Sequence, residues 1–303
     1  MSSTMLQLVQ QVTNELGVTT PTSVAGNTNQ DVIQILALMN ASGYEFLRKH
    51  PWRTLTKQKQ FYTEYLTTTG TWSDDGTSIT GIPSTTGLDS TYMVVGTGID
   101  QNTFIETVDS GTSVTINRRT TTAQTDATVY FQKMKYAFPS DYEAIIPRTM
   151  WDKDKHWEML GPEDAQQWEW LLSGYIATGP RIRWRLFSKY FQIWPGFSNA
   201  EFLGYEYRSN AWANSSTDIP KTSFTVDSDT CIYPDRLMVL STKLKYFEAK
   251  GFDTTAMYRN YLEEMEAAIA LDMSAANLSF APRPGTILVG YDNIPDSGYG
   301  ASP

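Results

Sequence analysis

The chain has 303 residues, 41% hydrophobic and 19% charged, with a formal net charge of −9 at pH 7. This is globular composition: no apolar run approaches the ~20 residues of a bilayer crossing, and MSSTMLQLVQQ lacks the basic region and apolar core of a secretory signal. The single cysteine, Cys231, excludes an intrachain disulfide, two histidines leave little for a zinc site, and the acidic balance argues against nonspecific nucleic-acid binding, which rests on Lys and Arg.

Met5, Leu8, Val9, Val12 and Leu16 recur at helical spacing and Gly17 closes the run, which predicts a first helix. After the polar linker TTPTSVAGNT, Asn29 is placed to cap a second helix. Val32, Ile35, Leu36, Met39, Phe46 and Leu47 share its face and Pro51 ends it, so the two helices make a hairpin. RTLTKQKQFYTEY alternates weakly and reads as a strand. From about Thr67 to Thr128 Thr and Gly recur and Lys vanishes, which favours short strands and tight turns. Tyr92–Val95, Thr103–Val108, Ser113–Ile116 and Thr128–Phe131 are the strand candidates, with a hairpin turn at Asp109-Ser110-Gly111.

At Gly161-Pro162-Glu163-Asp164 a short helix is expected to begin, with Pro162 at its first position and Trp168, Leu171 and Leu172 along it, stopping at Gly174. RIRWRLFSKYFQIWPG reads as a β-hairpin with Arg181, Arg183 and Arg185 on one face and Ile182, Trp184 and Leu186 on the other. Phe202–Tyr207 continues the meander. Pro234 opens a long helix with Leu237, Leu240, Leu244 and Phe247 on one stripe, and Gly251 caps it. Asp253 starts another helix that aligns Tyr258, Tyr261, Leu262, Met265 and Ile269, a second hairpin. Beyond Ser274, Pro and Gly forbid regular structure, yet Ile287, Leu288, Val289 and Tyr291 are apolar. Such a tail is either a disordered terminus or a segment that docks by strand addition on another subunit.

The motifs of catalysis are missing: there is no GxGxxG after a strand, GxxxxGK[ST], HExxH, GxSxG or CxxC. Asp152 and His156 stand four apart, which on a helix would bring them together for a metal or an acid–base pair. The two lysines between them read more simply as a solvated charge run. Glu163/Asp164 suit a helix N-terminus, and Glu263, Glu264 and Glu266 the wet face of an amphipathic helix, better than a glycosidase pair. The arginine row can touch DNA phosphate or pair with carboxylates on a neighbouring chain, and the acidity of the whole favours pairing. With Trp168, these arginines are the candidate inter-subunit contacts. No catalytic, cofactor or metal residue is assigned, and no cofactor is expected.

Several phrases stand in a telling order: LMNASGYEFLRKHPW (38–52), YAFPSDY (136–142), IPRTMWD (146–152), LGP (160–162), QW (167–168), GPR (179–181), FQIWP (191–195), YEYR (205–208) and KGFD (250–253). This order resembles the head-to-tail adaptor, or head-completion, proteins of tailed bacteriophages, over roughly residues 30–66 and 133–272. The Thr-rich block departs from the simplest family pattern and is similar to small β-modules that recur in phage virion proteins.

The resemblance implies a homo-oligomeric ring, about 12-fold, beneath the portal protein. Its partners would be the portal and a tail nozzle, fibre or tail-tube protein, and DNA would pass its channel without sequence-specific binding. The expected place is the virion head–tail interface, after synthesis in the host cytoplasm, with no membrane contact. The C-terminal extension would reach the portal through Pro282, Ile287, Leu288, Val289 and Tyr291. The expected fold is α+β: helical hairpins with an antiparallel β unit (1–66 and 129–275), an inserted small all-β domain (67–128) and an extended tail (276–303). Rival readings are a receptor- or carbohydrate-binding β-module, which needs an exposed Trp near the β block, and a virion-associated cell-wall hydrolase, which needs two facing carboxyls.

Overall fold

The computed structural model describes residues 3–173 and 181–273. They mix helix with antiparallel sheet, an α+β composition: helices α1 (Met5–Leu16), α2 (Gln30–Lys49), α3 (Ala165–Leu172), α4 (Asp235–Lys250) and α5 (Thr255–Asp272), with several small sheets between. By contact density the chain divides into a helical unit (residues 3–57, 140–145 and 207–273) and a β-rich unit (58–139, 146–173 and 181–206). No helix among the described residues is long and apolar enough to cross a membrane.

Local chemistry sets the helix ends of the helical unit. Thr4 Oγ1 accepts the Gln7 N–H while Gln7 Oε1 accepts the Thr4 N–H, a reciprocal cap that starts α1. Gly17 ends α1 at φ 69°, and Gly251 ends α4 at φ 77°, both left-handed positions that glycine adopts without strain. Asn29 caps α2 by accepting the Asp31 N–H.

Helix α4 packs against α1, α2 and α5. Leu237, Met238, Val239, Leu240, Ser241 and Thr242 are consecutive and all buried, so its first turns are enclosed all round and not along the one stripe expected. Its polar members bond inside the bundle: Ser241 Oγ lies 2.9 Å from Ser42 Oγ, and Thr242 donates to the Met238 carbonyl at 2.8 Å.

Helix α5 departs from expectation too. Tyr261, Met265 and Ala268 are buried, but Tyr258 and Leu262 face solvent. Its C-terminal Asp272 accepts the Arg53 N–H at 3.0 Å and lies 3.0 Å from His50 Nε2, which ties it to the chain after α2. A three-stranded sheet, Pro220–Lys221, Ala213–Asn214 and Thr230–Cys231, completes the unit, and Asp141 accepts from Lys57, Tyr207 and Ser209 at 2.6–2.9 Å.

In the β-rich unit, Tyr65–Trp72, Gln124–Lys133 and Tyr92–Gly96 form one sheet; Ser78–Ile79, Ser113–Ile116 and Ile105–Ser110 form another. Between them lies an apolar cluster that includes Trp72, Ile79, Val94, Ile105, Val114, Ile116, Val129 and Phe131. The hairpin turns at Gly111-Thr112, since Ser110 pairs with Ser113, slightly beyond the Asp109-Ser110-Gly111 expected. A third sheet has the order Arg183–Phe187, Tyr190–Trp194, Lys135–Ala137. One face of it carries Trp184, Phe191 and Tyr136, which meet Phe61 and Tyr205 in an aromatic core.

Helix α3 covers part of the other face: Trp168, Leu171 and Leu172 pack with Met93, Met134 and Trp194. It begins at Ala165 and not at Pro162. Asp164 Oδ1 accepts the Gln167 N–H at 2.7 Å and Gln167 Oε1 accepts back, so this box sets the start and Pro162 lies before it. Its last residue is Leu172; Gly174 lies outside the described residues.

Candidate functional site

The third sheet brings together most of the side chains that the sequence singles out. Strand pairing sets Arg185 opposite Gln192, and Gln192 opposite Lys135, so these three stand in a row across the sheet on one face. Arg183 and Phe187 flank Arg185 on that face, two residues away in each direction. Arg183 is engaged within the chain: its Nη1 donates to the buried carboxylate of Glu163 at 2.5 Å.

Arg185 has no carboxylate within ion-pair distance among the described residues. Its Nε donates to Gln192 Oε1 at 3.0 Å, and its guanidinium lies 4.6 Å from the ring centres of both Trp168 and Phe187. Burial pulls the Arg185 pKa down, against the weak opposing pull of Glu169. Lys135 holds its Nζ 5.1 Å from the Phe104 ring centre and likewise forms no ion pair among the described residues. Burial and then the Arg185 charge lower its pKa, against Asp89. Asp89 Oδ1 itself accepts from the Thr91 N–H.

Trp168 is fully enclosed within its own unit, and its Nε1–H has no hydrogen-bond partner among the described residues. Exposed aromatic side chains here are Trp170, two residues on from Trp168 and on the opposite side of α3, and Phe187, at the hairpin end. Arg181 is half-buried. Pro282, Ile287, Leu288, Val289 and Tyr291 lie outside the described residues. Lys135, Gln192 and Phe104 carry no sequence signal as members of this row, because only the strand register joins them.

Asp152 and His156 stand at a hairpin turn and not on a helix: Trp151–Asp152 pairs with Trp157–Glu158, and His156 takes φ 58° at the turn. Asp152 Oδ1 accepts the N–H groups of Asp154 and Lys155 at 3.1 Å each, which holds the turn. Its Oδ2 is buried without a partner among the described residues, and burial raises its pKa, with Lys155 opposing. Trp151, Asp152, Lys153 and His156 line an open recess of about 480 Å³. Among the described residues no three or more His, Cys, Asp or Glu side chains are grouped to hold a metal.

The other acids have structural partners or solvent. Glu163 pairs with Arg183, Asp164 caps α3, and Glu263 and Glu266 lie on the exposed face of α5. Trp72, the tryptophan of the Thr-rich block, is buried, so it offers no exposed ring there. Cys231 is buried beside the Tyr233 carbonyl, and burial pushes its thiol up to about 12, far from a reactive thiolate. No protein-family model matches this chain, and no curated protein is significantly similar to it.

Proposed function

We propose that the chain is a structural virion protein of a tailed bacteriophage, forming a ring between portal and tail that seals the head, extends the DNA channel and docks tail components. The ordered phrases of the sequence support this reading, and one structural observation carries it further. Two different helices of the helical unit turn apolar side chains to solvent. On α2, Ile33 and Tyr44 are each 45% exposed, with Ala37 and Ala41 exposed between them on the same face. On α5, Tyr258 and Leu262 are 49% and 39% exposed one turn apart, and Leu271 is exposed further along.

Two unlike faces on one chain suit a heterologous contact, in which a face of one copy meets the other face of the next, and such contacts close into rings. On the α2 face Ala41, Tyr44, Glu45, Arg48 and Lys49 line a groove of about 330 Å³, and exposed Glu266 flanks the α5 face. A ring of about 12 copies would follow the family pattern. In this reading the two helical hairpins pack around the channel, residues 67–128 form a peripheral insert, and residues 276–303 reach the portal. The insert is supported by an apolar cluster drawn from residues 66–131.

The α5 face gives the test. Changing Tyr258→Glu together with Leu262→Glu should abolish ring assembly on a portal while leaving the far-ultraviolet circular dichroism and the Tm of the monomer nearly unchanged, because exposed substitutions of this kind cost within about 0.5 kcal/mol. Rings that form as before would take α5 out of the interface and remove the observation on which the ring reading rests.

A further inference from the structure

The row on the third sheet has an excess of donors. Among the described residues the two terminal nitrogens of Arg185 and the Lys135 ammonium have no bonded acceptor, and the Gln192 amide spends its oxygen on Arg185 Nε. Gln192 is 2% exposed, so this amide is held in place by packing and not by solvent. Beneath Arg185 lies Trp168, whose buried Nε1–H also has no acceptor among the described residues.

Arg185 and Lys135 flank Gln192 across the sheet, and the Arg185 charge adds to burial in lowering the Lys135 pKa. Asp89 and Glu169 lie near enough to act on them at a distance, but neither reaches ion-pair contact. Among the described residues the row lacks an acceptor that carries negative charge.

We propose that Arg185 and Lys135 form a binding site for a carboxylate beside the aromatic rings of Phe187 and Phe104, with the buried Gln192 amide holding Arg185 in place. The planar guanidinium and the ammonium give a carboxylate charge-assisted hydrogen bonds from two sides, and the neighbouring rings favour a flat, weakly hydrated anion over a heavily hydrated phosphate dianion. The number of cations points the same way. Arg183 on this face is already paired with Glu163, so the sheet face offers two cations to a ligand, enough for one carboxylate but short of the track of charges that a nucleic-acid backbone requires. The carboxylate is either that of a free small molecule or that of an Asp or Glu side chain on another polypeptide. The site stands on strand register and side-chain chemistry, independently of the ring reading.

The test is a titration of the full chain, labelled with ¹⁵N, following the Trp168 indole signal at constant ionic strength. The probes are glutarate for a free carboxylate, the capped peptide acetyl-Ala-Glu-Ala-amide for a polypeptide-borne one, and inorganic phosphate. Both carboxylates should give a saturable shift. Lys135→Met should weaken binding about tenfold or more, as expected for removal of one charge-assisted bond, while Lys135→Arg keeps it within a few-fold. Tighter binding of the peptide assigns the site to a protein partner, and tighter binding of glutarate assigns it to a small molecule. Arg185→Gln should act like Lys135→Met; because Arg185 also packs on Trp168, the half-exposed Lys135 is the decisive position. No saturable shift with either carboxylate, tighter binding of phosphate than of both, or unchanged affinity in Lys135→Met would overturn the proposal.

Discussion

Replacing Gly43 with alanine should destabilise the protein by about 2 kcal/mol, seen as a lowered midpoint of urea unfolding with little change in slope. The sign opposes helix propensity, which favours alanine over glycine inside a helix by about 1 kcal/mol. Gly43 lies within α2, and a Cβ there would sit 2.3 Å from Cε2 and Cζ2 of Trp212. That ring has nowhere to go: it is fully buried, stacks on Tyr233 at 6.1 Å and meets Phe224 edge-on at 5.0 Å. Making room means shifting either the indole or the helix, and overpacking of this sort exceeds the gain in propensity. The remedy is specific. In a Trp212→Leu background the same Gly43→Ala change should cost little, so a double-mutant cycle should show strong coupling. Additive effects, or stabilisation by Gly43→Ala alone, would show that the backbone and the indole do not approach so closely.

Asp229→Ala should cost about 3–5 kcal/mol, because it leaves two backbone N–H groups and the partly buried Lys221 ammonium without their acceptor. The Asp229 carboxylate is almost wholly enclosed. It accepts Lys221 Nζ at 2.8 and 2.9 Å, the Thr225 N–H at 2.8 Å and the Val226 N–H at 2.9 Å, while its own carbonyl accepts the Met5 N–H at the start of α1. Nearby Asp227 accepts the N–H groups of Val24 and Ala25, so this loop anchors both α1 and the linker after it.

Burial alone would raise the Asp229 pKa, but the bonds from Lys221 and from the Thr225 and Val226 N–H groups outweigh it and hold it below the ordinary carboxylate range. A carboxyl depressed in the folded state contributes stability above its unfolded pKa of about 3.9 and loses it as the pH falls through the lower folded value. The stability gap between the wild-type chain and Asp229→Asn should therefore be constant near neutrality and shrink as the pH falls below about 4. A gap independent of pH would show that the charge of Asp229 does not contribute.

Where structure follows from neighbouring residues, it could be read from the chain. Asn29, Gly17 and Gly251 mark helix ends because a cap is a contact within a few residues. Periodicity located the apolar stripe of α5 but not how much of it is covered: Tyr261 and Met265 are buried, whereas Tyr258 and Leu262 are not. The enclosure of α4 was equally out of reach, since it depends on three helices surrounding Ser241 and Thr242. The strand Tyr65–Trp72 escapes notice because YLTTTGTW has no apolar alternation; pairing with Gln124–Lys133 makes it a strand.

The candidate site divides in the same way. The common face of Arg183 and Arg185 follows from the two-residue period of a strand, while the presence of Gln192 and Lys135 beside them follows from pairing between distant segments. Asp152 and His156 show the limit of spacing alone. A spacing of four suggests a helical neighbour pair, but in this hairpin Asp152 spends one oxygen on the N–H groups of the turn, and the chain bends before His156 can face it as on a helix. Pro162 misled because proline marks a first helical position in general, whereas here the box between Asp164 and Gln167 decides the start.

The proposed ring is tested by electron microscopy of the full chain mixed with the portal protein encoded with it, if the phage assignment holds for its genome. A closed ring of this protein bound to one end of the portal, coaxial with the DNA channel, is the expected result. A folded chain that forms neither a ring nor a portal complex would contradict it.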